Sequence, residues 1–371
     1  MKYPSLCLCV CALAFGSLAR AADPQPAYPR DLTKADVERW MTELSNWGRW
    51  GKDDQAGTIN LITPEKRRQA AALVRDGVSV SMSLNADLPK ESAEPPPPAP
   101  STPPPVATAP ANPAASAPGA GGAGSAPGGR RGPPRAAWQH NMMSNGLGRQ
   151  EGYVVDSYTV SFHGNTTTHL DALSHFIYNG HIYNNVPGDA ITAWGATKND
   201  VMPFKDGILT RGVLIDMPAM KGVPYLGDDE AVFPEDILAW EKKTGIHISS
   251  GDAVFLRTGR WVRVADKGPL NLNVATPGFY ASCAKFFRER GIAILGSDVV
   301  QDVRPSRVTG VNQPLHQILL VAEGTPLIDN CDLEALSAAA AQRNRYEFMF
   351  AIAPLRVPGG TGSPLNPIAT F

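Results

Sequence analysis

Residues 163–176 read His163-Gly164-Asn165-Thr166-Thr167-Thr168-His169-Leu170-Asp171-Ala172-Leu173-Ser174-His175-Phe176. The alternating segment 153–162, rich in Val, Tyr and Thr, precedes this run and is typical of a β-strand. His169 and Asp171 are two positions apart, so in an extended chain they project to the same side. An imidazole nitrogen beside a carboxylate oxygen suits zinc or manganese. The run therefore predicts a metal centre at a strand end.

His175 is the third histidine of this run. If a helix begins near Asp171, His175 lies one turn further and faces the same way. Histidine titrates near neutrality, which suits it to general acid/base catalysis beside a metal. The alternative is a group of hydrogen-bonded histidines at a strand end that binds no metal. Of the remaining histidines, His140 and His247 have no partner pattern, and His181 is expected at the rim of the site.

Helices and strands alternate irregularly along the rest of the chain, without regular βαβ repetition. Helix signals mark 31–45, 64–76, 234–245, 279–290 and 332–342. Strand signals mark 78–84, 153–162, 212–217, 253–258, 292–295 and 348–352. The pattern predicts a mixed α/β single domain with a barrel-like β core flanked by helices.

Two segments fall outside this domain. Residues 1–21 combine a charged start, a short apolar core and the small residues Ala19 and Ala21, which is typical of a cleavable signal peptide. Residues 89–136 hold 15 of the 34 prolines, and most of the rest is Ala, Gly and Ser, so this insert is predicted to be disordered. The catalytic domain is then built from 22–88 and 137–371, and the mature protein is expected to be periplasmic or secreted.

The composition restricts the class of protein. At 43% hydrophobic residues the chain can form a sizeable core, and its 34 basic and 35 acidic residues give no basic surface for nucleic acid. No apolar run has the length of about 20 residues that a membrane span needs, so no membrane association is expected after cleavage. Of the five cysteines only Cys283 and Cys331 lie beyond the signal. They could form a disulfide or remain buried thiols.

The run 163–176 resembles the HxGTHxDxPxH signature of the cyclase/kynurenine formamidase-like family of metal-dependent hydrolases. Other segments resemble parts of the longer members of that family, and together they cover nearly all of the chain outside the signal and the insert. These segments are 46–64, Gly251-Asp252-Ala253-Val254-Phe255-Leu256-Arg257-Thr258-Gly259, Gly296-Ser297-Asp298, Pro314-Leu315-His316 and Ile328-Asp329-Asn330.

The resemblance implies a role for each matching position. His169 and Asp171 match metal ligands, and His175 matches the catalytic histidine. His316 matches a later site histidine, and Asp329 stands where the family usually has a glutamate in a metal's coordination shell. The family fold is a swivelling β/β/α domain, usually in a homodimer or tetramer, and its reactions include hydrolysis of formyl-amides and cyclic amides.

Three departures from the signature matter. The family's first ligand histidine lies four residues before the second, where this chain has Asn165, so either Asn165 or His163 is the first ligand, and we favour His163. Asp329 is one methylene shorter than glutamate, which weakens the case for a second metal. Thr167 and Leu173 replace the signature's glycine and proline. Beside the site segments, Asp298 and Asn312 either orient ligands or serve as turn residues.

The sequence thus predicts a hydrolase of a small amide, lactam or formamide-like compound that uses zinc or manganese. A metal-bound hydroxide is the expected nucleophile and His175 the expected general acid/base. Two alternatives stay open. One is an exported small-molecule-binding protein on the same fold that has lost turnover, and the other is a cyclase or dehydratase that uses the same site.

Overall fold

The structure is a computed structural model that describes residues 28–86 and 138–371. The predicted signal peptide and the predicted insert lie outside the described residues, so both stay predictions. Within the two described ranges, no helix has the length and apolar character to span a membrane.

Eight helices are found in the described part of the chain, and the first two begin with a threonine cap. Thr33 and Thr63 cap the first two through their side-chain oxygens, and a proline occupies the first helical position after Thr63. The seventh helix continues as a π-helix over Gln317–Glu323. The helices are α1 (Lys34–Glu43), α2 (Pro64–Ala71), α3 (Met217–Lys221), α4 (Pro234–Thr244), α5 (Arg260–Lys267), α6 (Cys283–Arg290), α7 (Pro314–His316) and α8 (Glu334–Arg343). Short 3-10 helices cover Gly57–Leu61, Tyr183–Asn185, Gly188–Ala190 and Met202–Phe204.

Seventeen strands are found in the same part of the chain. They are β1 (Ser79–Ser81), β2 (Trp138–Ser144), β3 (Val155–Val160), β4 (His169–Asp171), β5 (His181–Ile182), β6 (Val186–Pro187), β7 (Ile191–Thr192), β8 (Gly195–Ala196), β9 (Ile208–Asp216), β10 (Ala231–Val232), β11 (Ala253–Arg257), β12 (Gly278–Phe279), β13 (Ile294–Ser297), β14 (Leu327–Asp329), β15 (Glu347–Ile352), β16 (Gly362–Pro364) and β17 (Ile368–Thr370).

Nine of these strands form one curled sheet in the order β1-β17-β15-β9-β11-β13-β14-β4-β16. Its centre, β9-β11-β13-β14, is parallel, and every other pair is antiparallel. All five residues of β11 are buried, as expected for a central parallel strand covered on both faces. The predicted mixed α/β single domain with a barrel-like β core flanked by helices is confirmed.

The sheet register brings site residues from distant parts of the chain together. β4 pairs with β14 so that His169 lies directly opposite Asp329, and residues opposite each other project from the same face. On its other side β4 pairs with β16, where a Cβ on Gly362 would lie 2.3 Å from the Leu170 carbonyl oxygen. Glycine at 362 therefore permits the close approach of β16 to the strand that carries His169 and Asp171.

Most predicted elements are found with shifted ends. The helix predicted over 64–76 ends at Ala71. The helix predicted over 279–290 begins only at Cys283, because Phe279 pairs with Val232 in a short strand. The strand predicted over 153–162 is found as β3, but it pairs with β2 instead of joining the main sheet.

No helix begins near Asp171, so the helical placement considered for His175 does not apply. After β4 the chain makes a turn in which the His175 amide donates to the Ala172 carbonyl. The amides of Ala172 and Ser174 donate to the carbonyls of Thr361 and Asn199, which lie far away in sequence. These long-range hydrogen bonds replace the local bonds that a helix would need.

Cys283 and Cys331 are both buried and free. Of the two alternatives for this pair, the structure therefore favours the buried thiols. Burial raises the pKa of both thiols well above their usual value, so neither is a reactive thiolate at neutral pH.

Candidate metal centre

The Asp171 carboxylate is the focus of the site. Asp171 is 1% exposed, and its Oδ1 atom is buried without a hydrogen-bond partner among the described residues. Three imidazole nitrogens face this atom: His163 Nδ1 at 3.1 Å, His169 Nε2 at 3.4 Å and His175 Nε2 at 3.8 Å. A buried carboxylate oxygen without a donor is costly unless a cation balances it.

Hydrogen bonds to the opposite ring nitrogens orient two of these histidines. His169 Nδ1 donates to the Thr167 carbonyl at 2.8 Å, so Nε2 is the nitrogen that faces Asp171. His163 Nε2 lies 3.0 Å from Thr361 Oγ1, which leaves Nδ1 directed at Asp171. Such partners fix the tautomer and the orientation of metal-binding imidazoles.

A second group of ligand atoms shares Asp171. The ligand atoms of Asp171, His316 and Asp329 lie within 4.8 Å of one another, as do those of His163, His169 and Asp171. His316 is supplied by α7, and Asp329 ends β14. The five residues thus form two overlapping groups that could hold a metal.

Two residues that the sequence analysis did not single out position this second group. Asp302 Oδ2 accepts a hydrogen bond from His316 Nδ1 at 2.6 Å, so His316 Nε2 faces Asp329. Gln301 Nε2 donates to Asp329 Oδ1 at 3.0 Å and to the Ile328 carbonyl. Asp302 precedes His316 by 14 positions, so no local spacing marks the pair.

His175 lies at the edge of the group. Its ring stacks on that of His163 with centroids 4.2 Å apart and planes 14° apart, and its side chain is 29% exposed. His163 is similarly accessible, whereas His169 is buried. His175 is therefore placed to contact both Asp171 and a molecule that enters from solvent.

A buried arginine holds the loop that carries His163. Arg260 Nη1 donates to Asn330 Oδ1 at 2.7 Å, and Nη2 donates to the Asn165 carbonyl at 2.5 Å. Asn330 Nδ2 in turn donates to the Gly164 carbonyl at 2.7 Å. Burial lowers the pKa of Arg260 only to about 10, so the guanidinium stays charged at neutral pH.

The electrostatics of the cluster follow from burial and from the surrounding charges. Burial alone would lower the pKa of His169, but the Asp171 carboxylate outweighs it and raises the pKa to about 9. The facing imidazoles hold the pKa of Asp171 well below its usual value despite burial. Burial lowers the pKa of His175 to about 4, so this imidazole is neutral at neutral pH.

The structure brings together all six residues predicted from sequence or resemblance, His163, His169, Asp171, His175, His316 and Asp329. Asn165, the alternative first ligand, contributes its backbone carbonyl to the Arg260 contact. Asp298 accepts hydrogen bonds from the amides of Thr258, Gly259 and Arg260, which lie 38 to 40 positions earlier, so it holds the start of α5 instead of a turn of its own. The ligand and catalytic roles themselves stay predictions.

The donor set fits a divalent metal ion. It offers imidazole nitrogens and carboxylate oxygens, the ligands that zinc and manganese share. The unpartnered Asp171 Oδ1 at its centre is the atom that gains most from a bound cation. Such a centre can activate water and polarise a carbonyl group.

The chain matches the model of the family Cyclase, described as "Putative cyclase", over residues 78–301. The protein in a crystal structure described as a novel cyclase shares 29% sequence identity with this chain. The TM-score between the two structures is 0.68, and the match covers 88% of this chain and 100% of the other. Isatin hydrolase A from Ralstonia solanacearum is 21% identical in sequence, with a TM-score of 0.45, and the match covers 62% of this chain and 81% of that protein. Isatin hydrolase A from Labrenzia aggregata, bound to benzyl benzoate, is 21% identical in sequence, with a TM-score of 0.47, and the match covers 81% of this chain and 94% of that protein. No curated protein matches the chain.

Proposed function

We propose, from the premise that this chain belongs to the cyclase family, that it hydrolyses a carbon–nitrogen bond in a small amide, lactam or formamide-like compound. The observation that carries the proposal is the buried Asp171 Oδ1, which lacks a hydrogen-bond partner among the described residues and is faced by three imidazole nitrogens. An ion-pair network that served only stability would satisfy this oxygen directly.

We further propose zinc or manganese as the metal. His163, His169 and Asp171 would hold it, with Asp329 and His316 on the other side of the shared carboxylate. A divalent metal supplies Lewis acidity there, which polarises a substrate carbonyl and activates water near neutral pH. The Gln301 side-chain amide donates to Asp329 Oδ1 and restrains this carboxylate.

His175 moves the proton in this proposal. Its imidazole is neutral at neutral pH, so one ring nitrogen is free to accept a proton from the attacking water, and Nε2 is the nitrogen that faces the site. The same nitrogen then returns that proton to the leaving nitrogen of the amide or lactam. His169 and His316 are unsuited to this role, because Thr167 and Asp302 fix their Nδ1 protons and both rings are buried.

A screen of amides, N-formyl compounds and lactams with the metal-supplemented protein tests the proposal. We expect hydrolysis of at least one class, and a loss of about 100-fold or more in kcat for His175→Gln. His140→Gln is the matched control, because His140 pairs with Asp156 on the small β2–β3 sheet.

Product analysis distinguishes hydrolysis from dehydration, ring closure and ligand binding without turnover. A carboxylic acid plus an amine from an amide, one open-chain amino acid from a lactam, or formate plus an amine from an N-formyl compound supports hydrolysis. Loss of water or ring closure without a released acid would instead establish a dehydratase or cyclase. Stoichiometric ligand binding without turnover would establish the binding-protein alternative.

A further inference from the structure

A cavity of about 640 Å³ lies beside the chain segment that leads into α7. The loop between Val303 and Pro314 forms most of it, and Asn273 and Val274 complete it. Its volume lies in the range of small-molecule sites, about 300–1,000 Å³. Among the described residues that line it there is no carboxylate, and there are two arginines, Arg304 and Arg307.

Both guanidinium groups are tethered by carbonyl oxygens. Arg304 is half-buried, and its Nη1 donates to the Leu272 carbonyl at 2.8 Å. Its backbone is also fixed by two hydrogen bonds with Thr276. Arg307 is exposed, and its Nη2 donates to the Asp229 carbonyl at 2.9 Å. Each arginine therefore keeps several N–H donors while its position is restrained.

Neither arginine forms an ion pair with a residue in 28–86 or 138–371. Three carboxylates of this region are already engaged, and the exposed Asp229 lies next to Arg307. Asp228 pairs with Arg263 at 2.6 Å, Glu230 pairs with Lys221 at 2.6 Å, and Asp302 accepts from His316. The lining residues themselves therefore carry two positive charges and no negative charge, which favours anions, and the nearest carboxylates to Arg307, those of Asp229 and Glu230, lie outside the lining.

We propose that this cavity binds a small molecule through a carboxylate or phosphate group. The planar guanidinium fork matches the oxygens of either group, and the lining offers two such forks from one loop. Neutral hydrogen-bonding side chains on the same lining, Asn273, Ser306, Thr309, Asn312 and Gln313, suit the rest of such a ligand.

The cavity is structurally joined to the metal centre. The loop that lines the cavity begins after Asp302 and ends at Pro314. Asp302 hydrogen-bonds His316 and the Leu315 amide, and Pro314 is the first residue of α7, the helix that contains His316. The Gln317 amide donates to the carbonyl of Gln313, a lining residue, at 3.1 Å. An anion held here lies next to the segment that positions His316, but its binding does not require the metal ligands.

Isothermal titration of the full-length protein with benzoate, succinate and inorganic phosphate, each in separate runs, tests the proposal. We expect binding that weakens with added salt, and a loss of about tenfold in affinity for Arg304→Met and for Arg307→Met. Tighter binding of benzoate or succinate than of phosphate would identify a carboxylate as the preferred group, and the reverse order would identify a phosphate. Arg75→Met is the matched control, because it removes one exposed arginine outside the lining.

His169→Ala separates this site from the metal centre. The proposal expects anion affinity to survive His169→Ala even if all hydrolytic activity disappears. Absence of binding for all three anions, equal affinity in both arginine variants and wild type, or loss of binding in His169→Ala alone would overturn it. If Arg304→Met fails to fold, the exposed Arg307 carries the same test.

Discussion

His163 Nδ1 lies 3.1 Å from Asp171 Oδ1, although His163 is six positions before His169 instead of the four that the signature prescribes. At the signature position, the Asn165 carbonyl accepts a hydrogen bond from Arg260. The loop thus presents an earlier histidine to the carboxylate. His163 is the residue of this loop that we propose as the first ligand.

Replacing the first ligand should weaken metal binding selectively. We expect His163→Ala to lower metal affinity by at least about 100-fold, since even the loss of a supporting contact costs about 10–100-fold. Asn165→Ala keeps the backbone carbonyl and should change the affinity little. Competition with a chromogenic chelator measures the metal affinity of both variants. A larger loss for Asn165→Ala than for His163→Ala would reverse the assignment.

The Asp302–His316 hydrogen bond should tune the second ligand group. Asp302→Asn removes the charge that orients His316 Nδ1, so we expect metal affinity to fall by about 10–100-fold. Asp156→Asn is a matched control, because Asp156 makes a similar contact with the partly exposed His140 at 2.7 Å. Metal titration of both variants checks this expectation. Equal metal affinities of Asp302→Asn and Asp156→Asn would contradict a role for the Asp302–His316 hydrogen bond in metal binding.

Arg260 should act on the metal through the loop that it holds. Arg260→Met leaves Asn330 Oδ1 and the Asn165 carbonyl without their donor, which costs about 1–3 kcal/mol for each buried group. We expect a lower free energy of unfolding and, in the folded variant, weaker metal binding. Arg263→Met, on the same helix, removes a surface ion pair with Asp228. It should leave metal affinity unchanged in the same titration. A folded Arg260→Met variant with wild-type metal affinity would refute the positioning role.

Glu323 gives a pH-dependent test of the fold away from the metal. Burial raises the pKa of Glu323 well above 4.5, and its Oε1 has no hydrogen-bond partner among the described residues. Above pH 4.5 the unfolded chain loses this proton while the folded chain keeps it. The free energy of unfolding therefore falls as pH rises, by up to about 1.4 kcal/mol per pH unit until the folded-state pKa is reached.

Glu323→Gln removes this titration while keeping the shape of the side chain. We expect its stability relative to wild type to increase between about pH 5 and pH 8 in urea unfolding. The exposed Glu151→Gln should follow the wild type at every pH. A constant difference between Glu323→Gln and wild type across this range would mean that Glu323 ionises normally.

Sequence alone could predict the features that depend on local geometry. His169 and Asp171 project together because a strand repeats every two residues, and this spacing is visible in the sequence. Thr33 and Thr63 cap their helices through contacts three residues away. Resemblance to a family supplied His316 and Asp329, which no local pattern joins to Asp171.

The contacts that the sequence could not reveal are long-range. Arg260 reaches Asn330 and Asn165 across 70 and 95 positions. The turn before His175 forms because Thr361 and Asn199 supply acceptors for its amides, so no helix begins near Asp171. Tertiary hydrogen bonds of this kind override local propensity and become visible only in the folded chain.

The most direct test of the account is the metal content of the purified protein, measured by elemental analysis beside Asp171→Asn and the control His140→Ala. Asp171→Asn keeps the side-chain volume and removes the charge on which both ligand groups depend. We predict at least about one zinc or manganese ion per chain in the wild type and in His140→Ala, and its loss in Asp171→Asn. No metal in the supplemented wild type, or equal metal in Asp171→Asn, would contradict the proposed centre.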